Sequence, residues 1–270
     1  MPAIDGWFND VLDLNWEQYE YSFIQEKEGS PFWTHPLWWL LPQIVISEDE
    51  INNAPKPLWI SEIDPACEYG KVMDAAEGKY IIDLPNNFGD YIQQRDYKYR
   101  KTFRNILRKN SDLTVTIGSQ HDIDLLWDNY CGKLQSLNGK QDCMPYNENE
   151  LKYRRELFGG PNIEVLTVSH DNQIIACNVS SWREGSVYDL AFLGDSNSAY
   201  QNRSLGIFLI LKNIERAIEK GITTYDLLTK NYGYKHTLGA YEVKCKHYIA
   251  CSKEFAREYG IDEALVSEFV

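Results

Sequence analysis

Residues 162–228 constrain the fold more than any other stretch of the chain. Three segments rich in β-branched and apolar residues, Asn162–Val168, Gln173–Trp182 and Ser186–Phe192, are joined by Asp171-Asn172 and Glu184-Gly185, pairs that favour tight turns. A long helix is predicted next, from about Ser204 to Lys220, with Gly221 just past the last turn, where a left-handed residue ends many helices. Ile222–Leu228 reads as a further strand, followed by a Gly-containing connection and a strand over Tyr241–Cys251. This order predicts an α/β (α+β) architecture: a mixed, mostly antiparallel central sheet flanked by helices.

Upstream segments extend the pattern. Tyr80–Leu84 is a short strand stopped by Pro85, and Asn87–Lys109 reads as one helix with an apolar stripe that includes Phe88, Tyr91, Ile92, Phe103 and Leu107. Leu113–Ile117 alternates as a strand does. Asp122 or Asp124 is suited to cap a helix running to about Gln135. A loop at Asn138-Gly139 leads to a second helix near Asn147–Leu157, stopped by Gly159-Gly160-Pro161. Residues 1–80 offer short aromatic-rich runs, Tyr19–Ile24 and Pro57–Ile60 among them, that suit strands of a subsidiary layer. The tail, Lys253–Val270, reads as helix, and no repeat of 20–50 residues is visible.

Charge and cysteine usage narrow the function. The 270 residues carry 27 basic and 40 acidic side chains, a net charge of −13 that opposes nucleic acid and anionic membranes. The longest apolar run, His35–Ile46, is broken by Pro42 and too short to span a bilayer. The first residues lack the basic and apolar regions of a signal peptide. Six cysteines, at 67, 131, 143, 177, 245 and 251, show no CxxC pair and no Cys/His metal spacing. Buried free thiols, no metal site and a cytoplasmic location are expected. His35, His121, His170 and His247 have no partners at telling spacings, which leaves them structural roles.

Three local patterns carry possible chemistry. The first is Gln201-Asn-Arg-Ser-Leu-Gly206, at the head of the long helix. A helix N-terminus presents unpaired N–H groups and a partial positive charge to an anion, although Ser204 would equally serve as an ordinary cap. The second is a concentration of seven basic residues between Arg95 and Lys109, in which Arg100, Arg104 and Arg108 recur every four residues along one ridge. That ridge is either a site for an anionic partner or a solvated face. The third is Asp189, within the mostly apolar Val187–Phe192, where a desolvated carboxylate would titrate high enough to act as a base. A solvent-facing strand position would leave it ordinary.

The element order, together with Gln201–Gly206, resembles the GNAT superfamily of acyltransferases. Phe103-Arg104-Asn-Ile-Leu-Arg108, and Tyr225-Asp226 followed by Tyr234-Lys235 and Gly239, are similar to motifs of its CelD-like branch, relatives of the FemAB enzymes. The resemblance spans roughly residues 80–252. It implies two parts, an abbreviated first GNAT-like half over 1–80 and an acyltransferase domain over 81–270. It also implies an acyl-CoA or acetyl-CoA donor whose pyrophosphate rests on Gln201, Asn202, Arg203, Ser204, Leu205 and Gly206. The thioester would lie between Ser186–Phe192 and Ile222–Leu228, with a backbone N–H of the former as oxyanion donor and a small-molecule amine as acceptor.

The resemblance makes Asp189 the expected base, with Asp195 and Asp226 as other carboxylates near the splay, and Tyr234 a proton donor to the thiolate. It gives Lys235 a role on the acceptor or the thioester carbonyl, and places Arg104, Arg108, Asp226 and His236 among binding residues. Lys230-Asn231-Tyr232 departs from the family's Gly-Asp-Glu, losing a carboxylate pair. Three alternatives stay open: an acyl carrier protein as donor, a FemX-like transferase using aminoacyl-tRNA, and a catalytically silent binding module. The sequence gives no indication of oligomeric state.

Overall fold

The computed structural model describes residues 17–20, 31–34, 48–54, 56–63, 70–72, 78–136, 148–183, 185–195, 198–229, 231–258 and 260–270. The His35–Ile46 run, the Asn138-Gly139 loop, Cys67 and Cys143 lie outside these residues. The chain forms two compact units. One takes residues 1–79, 228–231 and 242–270, the other 80–227 and 232–241. The sequence reading divides the chain once, at residue 80; the structure interleaves it, returning the C-terminal stretch to the first unit.

The first unit holds a sheet in which Leu58–Ile63 pairs antiparallel with Lys246–Cys251 and parallel with Pro31–Thr34, while Glu17–Glu20 adds antiparallel to Pro31–Thr34. The strand expected over Tyr241–Cys251 is thus two strands, Tyr241–Val243 and Lys246–Cys251, that belong to different sheets. The tail is helical only over Lys253–Glu258, and Glu268–Phe269 then pairs in parallel with Ala250 and Cys251. Cys131, Cys177, Cys245 and Cys251 are free thiols, all buried except the half-buried Cys131.

The second unit carries the candidate site. The seven-stranded sheet consists of β1 (Lys79–Asp83), β2 (Thr114–Ile117), β3 (Ile163–His170), β4 (Gln173–Arg183), β5 (Ser186–Gly194), β6 (Thr224–Asp226) and β7 (Tyr241–Val243), in the order β7-β1-β6-β5-β4-β3-β2. The unit's helices are α1 (Phe88–Gln93), α2 (Tyr97–Lys109), α3 (Gln120–Gln135), α4 (Glu148–Phe158), α5 (Leu205–Glu219) and α6 (Gly233–Thr237). β2 to β5 form an antiparallel meander. Asp171 and Asn172, at φ +49° and +64°, make the left-handed pair that matches hairpin twist. α5 then carries the chain back, so that β6 lies parallel to β5 and antiparallel to β1.

α5 organises the interior. Its Ile210, Leu211, Ile214 and Ala217 pack with Tyr80, Ile82, Phe103, Val187 and Tyr225, while its Leu205, Phe208 and Leu209 pack with Leu166, Val168, Ile175 and Ala176. One helix therefore closes two clusters on the sheet, which is why its sequence is apolar over more than a single stripe.

Several boundaries differ from the sequence reading for identifiable reasons. Asn87–Lys109 is two helices: the Asn87 side chain accepts from the Asp90 N–H at 2.8 Å to cap α1, and α2 restarts after Asp96. The apolar stripe runs across the break because both helices face the same cluster. Ser119, not Asp122 or Asp124, precedes α3, and Asp122 instead accepts from the Ser119 N–H at 3.2 Å and the Thr167 hydroxyl at 2.8 Å. The strand read over Ile222–Leu228 is ordered as a ladder only over Thr224–Asp226. Among the described residues no helix is long and apolar enough to cross a membrane, and no group of three or more His, Cys, Asp or Glu could hold a metal.

Ile214 has no solvent exposure. Ile214→Ala is expected to lower folding stability by about 2–5 kcal/mol, read as a lower denaturant midpoint with an unchanged slope.

Candidate functional site

β5 and β6 pair over three positions only, Ser186 with Thr224, Val187 with Tyr225 and Tyr188 with Asp226. Beyond Tyr188, β5 continues to Gly194 with β4 alone. Asp189 is the first residue past the parting. The β4–β5 register also slips here, from Ala191 opposite Val179 to Asp189 opposite Ser180, so Leu190 is bulged out of the ladder. A bulge leaves backbone groups outside the regular pairing and turns the strand.

The Asp189 carboxylate points into the protein although the residue is partly exposed. It accepts from the Asn178 side chain at 2.7 Å and the Tyr225 hydroxyl at 3.3 Å, both residues being fully buried. Burial pushes its pKa up to about 6, against the opposing pull of those two hydrogen bonds and of the Lys235 charge; the Asp226 charge adds to the rise. Behind it runs a polar line: Asn213 of α5 donates to Asn178 at 2.6 Å and to Ser180 at 3.2 Å. Arg216 donates to Asn213 at 3.2 Å and to Glu164 at 2.6 Å, and Lys220 reaches Glu164 at 2.7 Å.

α6 brings Tyr234, Lys235 and His236 beside this point. Lys235 is buried, its ammonium 5.0 Å from the Tyr80 ring centre and 5.6 Å from that of Tyr232. His236 is exposed and sets its ring edge-on to Tyr80. Burial, and then the Asp189 charge, raise the Tyr234 phenol well above its usual range, so it keeps its proton at neutral pH. Asp226, at the end of β6, is buried. The helix is held from α1 and the connection after it, where the Tyr91 hydroxyl and Arg95 respectively donate to the Leu238 carbonyl, at 2.8 and 2.9 Å. Gly239, at φ +88°, has no room for a side chain, since a Cβ would fall 1.0 Å from the Arg95 guanidinium.

The other end of β5 reaches a cavity of about 570 Å³ at the start of α5, lined by Gln201, Leu205, Gly206, Phe192, Lys133 and Asp195 among others. The first helical hydrogen bond of α5 runs from the Phe208 N–H to the Ser204 carbonyl, so the N–H groups of residues 205–207 have no acceptor within the helix. Ser204 does not cap through its hydroxyl as the sequence suggested. It is left-handed, φ +53°, and turns the chain from the Ser198–Arg203 turn into α5. Asn202 and Arg203 act through their carbonyls, which accept from Lys109 at 2.5 Å and Asn110 at 2.9 Å. The Arg203 guanidinium pairs with Asp112 at 2.7 Å and holds that carboxyl below its usual range.

The structure therefore gathers Asp189, Asp226, Tyr234 and Lys235 at one point, with His236 at its edge, and Gln201, Leu205 and Gly206 at the other end of the same strand. Phe192 is three positions past Asp189, about 10 Å along the strand. Arg104 and Arg108 lie exposed on α2 and do not line the cavity. Sequence reasoning missed Asn178 and Tyr225 as partners of Asp189, and Asn213 as the support behind Asn178. Asn178 and Asn213 each interrupt an otherwise apolar buried stretch, and that interruption was the available signal.

A family profile of the acetyltransferase (GNAT) domain matches residues 97–236, just over half of the chain. The chain belongs to the GNAT acetyltransferase family. No curated protein matches the sequence. Among solved structures it is similar to FemX, at 11% identity and a TM-score of 0.49 over 67% of this chain and 63% of that one. It is also similar to a conserved protein of unknown function from Bacteroides thetaiotaomicron, at 14% identity and a TM-score of 0.46 over 67% and 62%. A third is the C-terminal domain of a putative lysylphosphatidylglycerol synthetase from Agrobacterium fabrum, at 11% and 0.41 over 63% and 59%. The matched part spans less than two thirds of each of these chains.

Because Asp189 holds its proton more tightly folded than unfolded, its ionisation works against the fold. The protonated form's contribution is complete below the ordinary aspartate value near 3.8 and is lost as pH rises through about 6. Asp189→Asn lacks this term. Its stability relative to the parent should therefore rise by on the order of 3 kcal/mol across that window and level off above it. A difference that stays flat from pH 4 to 7 would contradict the desolvated carboxylate.

Proposed function

We propose that the chain is an N-acyltransferase that moves an acyl group from an acyl-CoA or acyl-carrier thioester to an amine, directly between two bound substrates. The observation that carries this reading is Asp189: a desolvated carboxylate where β5 leaves β6, on the strand whose far end lines the cavity at the α5 N-terminus.

The donor's phosphates suit the free N–H groups of residues 205–207 and the partial positive charge of a 15-residue helix. Asp128 and Asp195 in the cavity wall work against an anion, and Lys133 offsets them in part. A Cβ on Gly206 would only touch the Phe192 ring at 3.7 Å, so any larger side chain there occupies the cavity itself. The donor contributes the activated acyl carbon. Asp189, largely ionised at pH 7, takes a proton from the acceptor's ammonium group, and the neutral amine so formed attacks the acyl carbon. The backbone N–H groups around bulged Leu190 face the charge that develops on the acyl oxygen. As the C–S bond breaks, the sulfur takes the Tyr234 proton while the new amide nitrogen passes its second proton to the Tyr234 oxygen, so the phenol is not left ionised. Lys235, fixed between two rings, supplies positive charge for an acidic group of the acceptor and keeps Asp189 from titrating still higher. No enzyme nucleophile is required. The acceptor on this reading is a small-molecule amine.

Two outcomes follow. Turnover of the parent chain should rise through about pH 6 as Asp189 loses its proton, and Asp189→Asn should lower kcat/KM by about 10²- to 10⁴-fold with folding intact. Coenzyme A at a hundredfold over its Kd should add roughly 2.7 kcal/mol to folding stability, read as a rise in Tm, and Gly206→Trp should abolish that rise. A Gly206→Trp protein stabilised as fully as the parent would place the donor elsewhere.

A further inference from the structure

We infer that the outward face of α2 is a docking surface for an acidic acyl carrier protein, which delivers the acyl group on its phosphopantetheine arm into the cavity at the head of α5. This deepens the acyltransferase reading and rests on it.

α2 concentrates 6 of the chain's 27 basic residues in 13 positions with no acidic residue, although the chain as a whole is at −13. Only Phe103 is buried; Lys98, Lys101, Arg104, Arg108 and Lys109 are exposed and cover the arc opposite it. Among the described residues none of Lys98, Arg100, Lys101, Arg104 and Arg108 has a carboxylate within ion-pair distance. Elsewhere in the unit several basic residues are paired: Arg203 with Asp112, Arg155 with Asp124, Arg216 and Lys220 with Glu164. A row of like charges left without counter-charge costs stability through self-repulsion, and an acidic partner removes that cost. Tyr97, 75% exposed at the start of the row, adds an apolar contact beside Arg100.

The row ends at the cavity. Lys109, its last residue, donates to the carbonyl of Asn202, and Asn110 to that of Arg203, in the turn that leads into α5. A partner seated along α2 would thus have its prosthetic arm beside Gln201 and Gly206. Length favours a compact partner over a nucleic acid. Thirteen residues span about 20 Å. At physiological salt, where screening acts over about 8 Å, a small acidic helix meets mainly this face. A longer polyanion runs on over the acidic remainder of the chain.

The test compares binding of a phosphopantetheinylated acyl carrier protein charged with octanoate to the full chain and to Lys98→Glu/Lys101→Glu, neither residue lining the cavity. Carrier binding should fall about tenfold or more in the variant and weaken steeply with salt in the parent, while both proteins keep the same Tm rise with coenzyme A. Equal carrier binding by parent and variant overturns the docking surface. So does charged tRNA binding the parent more tightly than the carrier at 0.15 M salt. Absence of any coenzyme A response in the parent overturns the donor site first, and the docking surface with it.

Discussion

Three rungs of parallel pairing between Ser186–Tyr188 and Thr224–Asp226 determine where everything else at the site can stand. Were β6 to follow β5 for its whole length, Asp189 would face a neighbouring strand and the bulge at Leu190 would have no opening to serve. The parting depends on α5. Because this helix is buried against both core clusters, the sheet beneath it cannot relax toward fuller pairing without opening one of them. The same helix offers its N-terminus at one end of β5 and Asn213 beneath the other. The free N–H groups at the head of α5 and the positioning of the Asp189 carboxylate are thus consequences of one packed element.

The polar line from Glu164 through Arg216 and Asn213 to Asn178 is an expensive thing to place inside a sheet–helix interface, and its members satisfy one another. Fully paired amides hold a carboxylate in place without fixing its charge. Asp189 is therefore poised by opposition: burial and Asp226 favour the neutral form, the Asn178 and Tyr225 hydrogen bonds and Lys235 the ionised one. Removing any single partner would displace the balance without destroying the cavity. Tyr225 shows the converse, a phenol raised well above its usual range by burial first and by the neighbouring Asp189 charge. It stays a donor and never competes as a base.

What was legible in the sequence was local. The hairpin pairs at Asp171-Asn172 and Gly185, the apolar length of α5 and the Gly221 terminus are set by neighbours within a few residues, and periodicity reports them faithfully. Boundaries decided by distant contacts were hidden. α1 and α2 share one stripe although the chain breaks between them, and Tyr241–Cys251 alternates smoothly although its halves join different sheets. At the site, Asp189, Tyr234, Lys235 and the 201–206 loop stood out by residue type and spacing. Their supports did not, because Asn213 reaches Asn178 across 35 residues and Tyr225 reaches Asp189 across 36. Arg203 looked like part of an anion cradle from sequence; a pairing with Asp112, 91 residues away, occupies its guanidinium.

On the proposed function one strand, β5, places the acyl carbon at its bulge and leads the donor to the α5 N-terminus. A crystal structure of the chain with an acyl-CoA analogue in which a methylene replaces the thioester sulfur tests it most directly. The expected result is phosphate density at the N–H groups of residues 205–207 and the ketone oxygen facing the backbone around Leu190, with Asp189 and Tyr234 on either side. Density for the analogue away from β5, or a ketone turned from the bulge with Asp189 still sealed behind Asn178 and Tyr225, would contradict it.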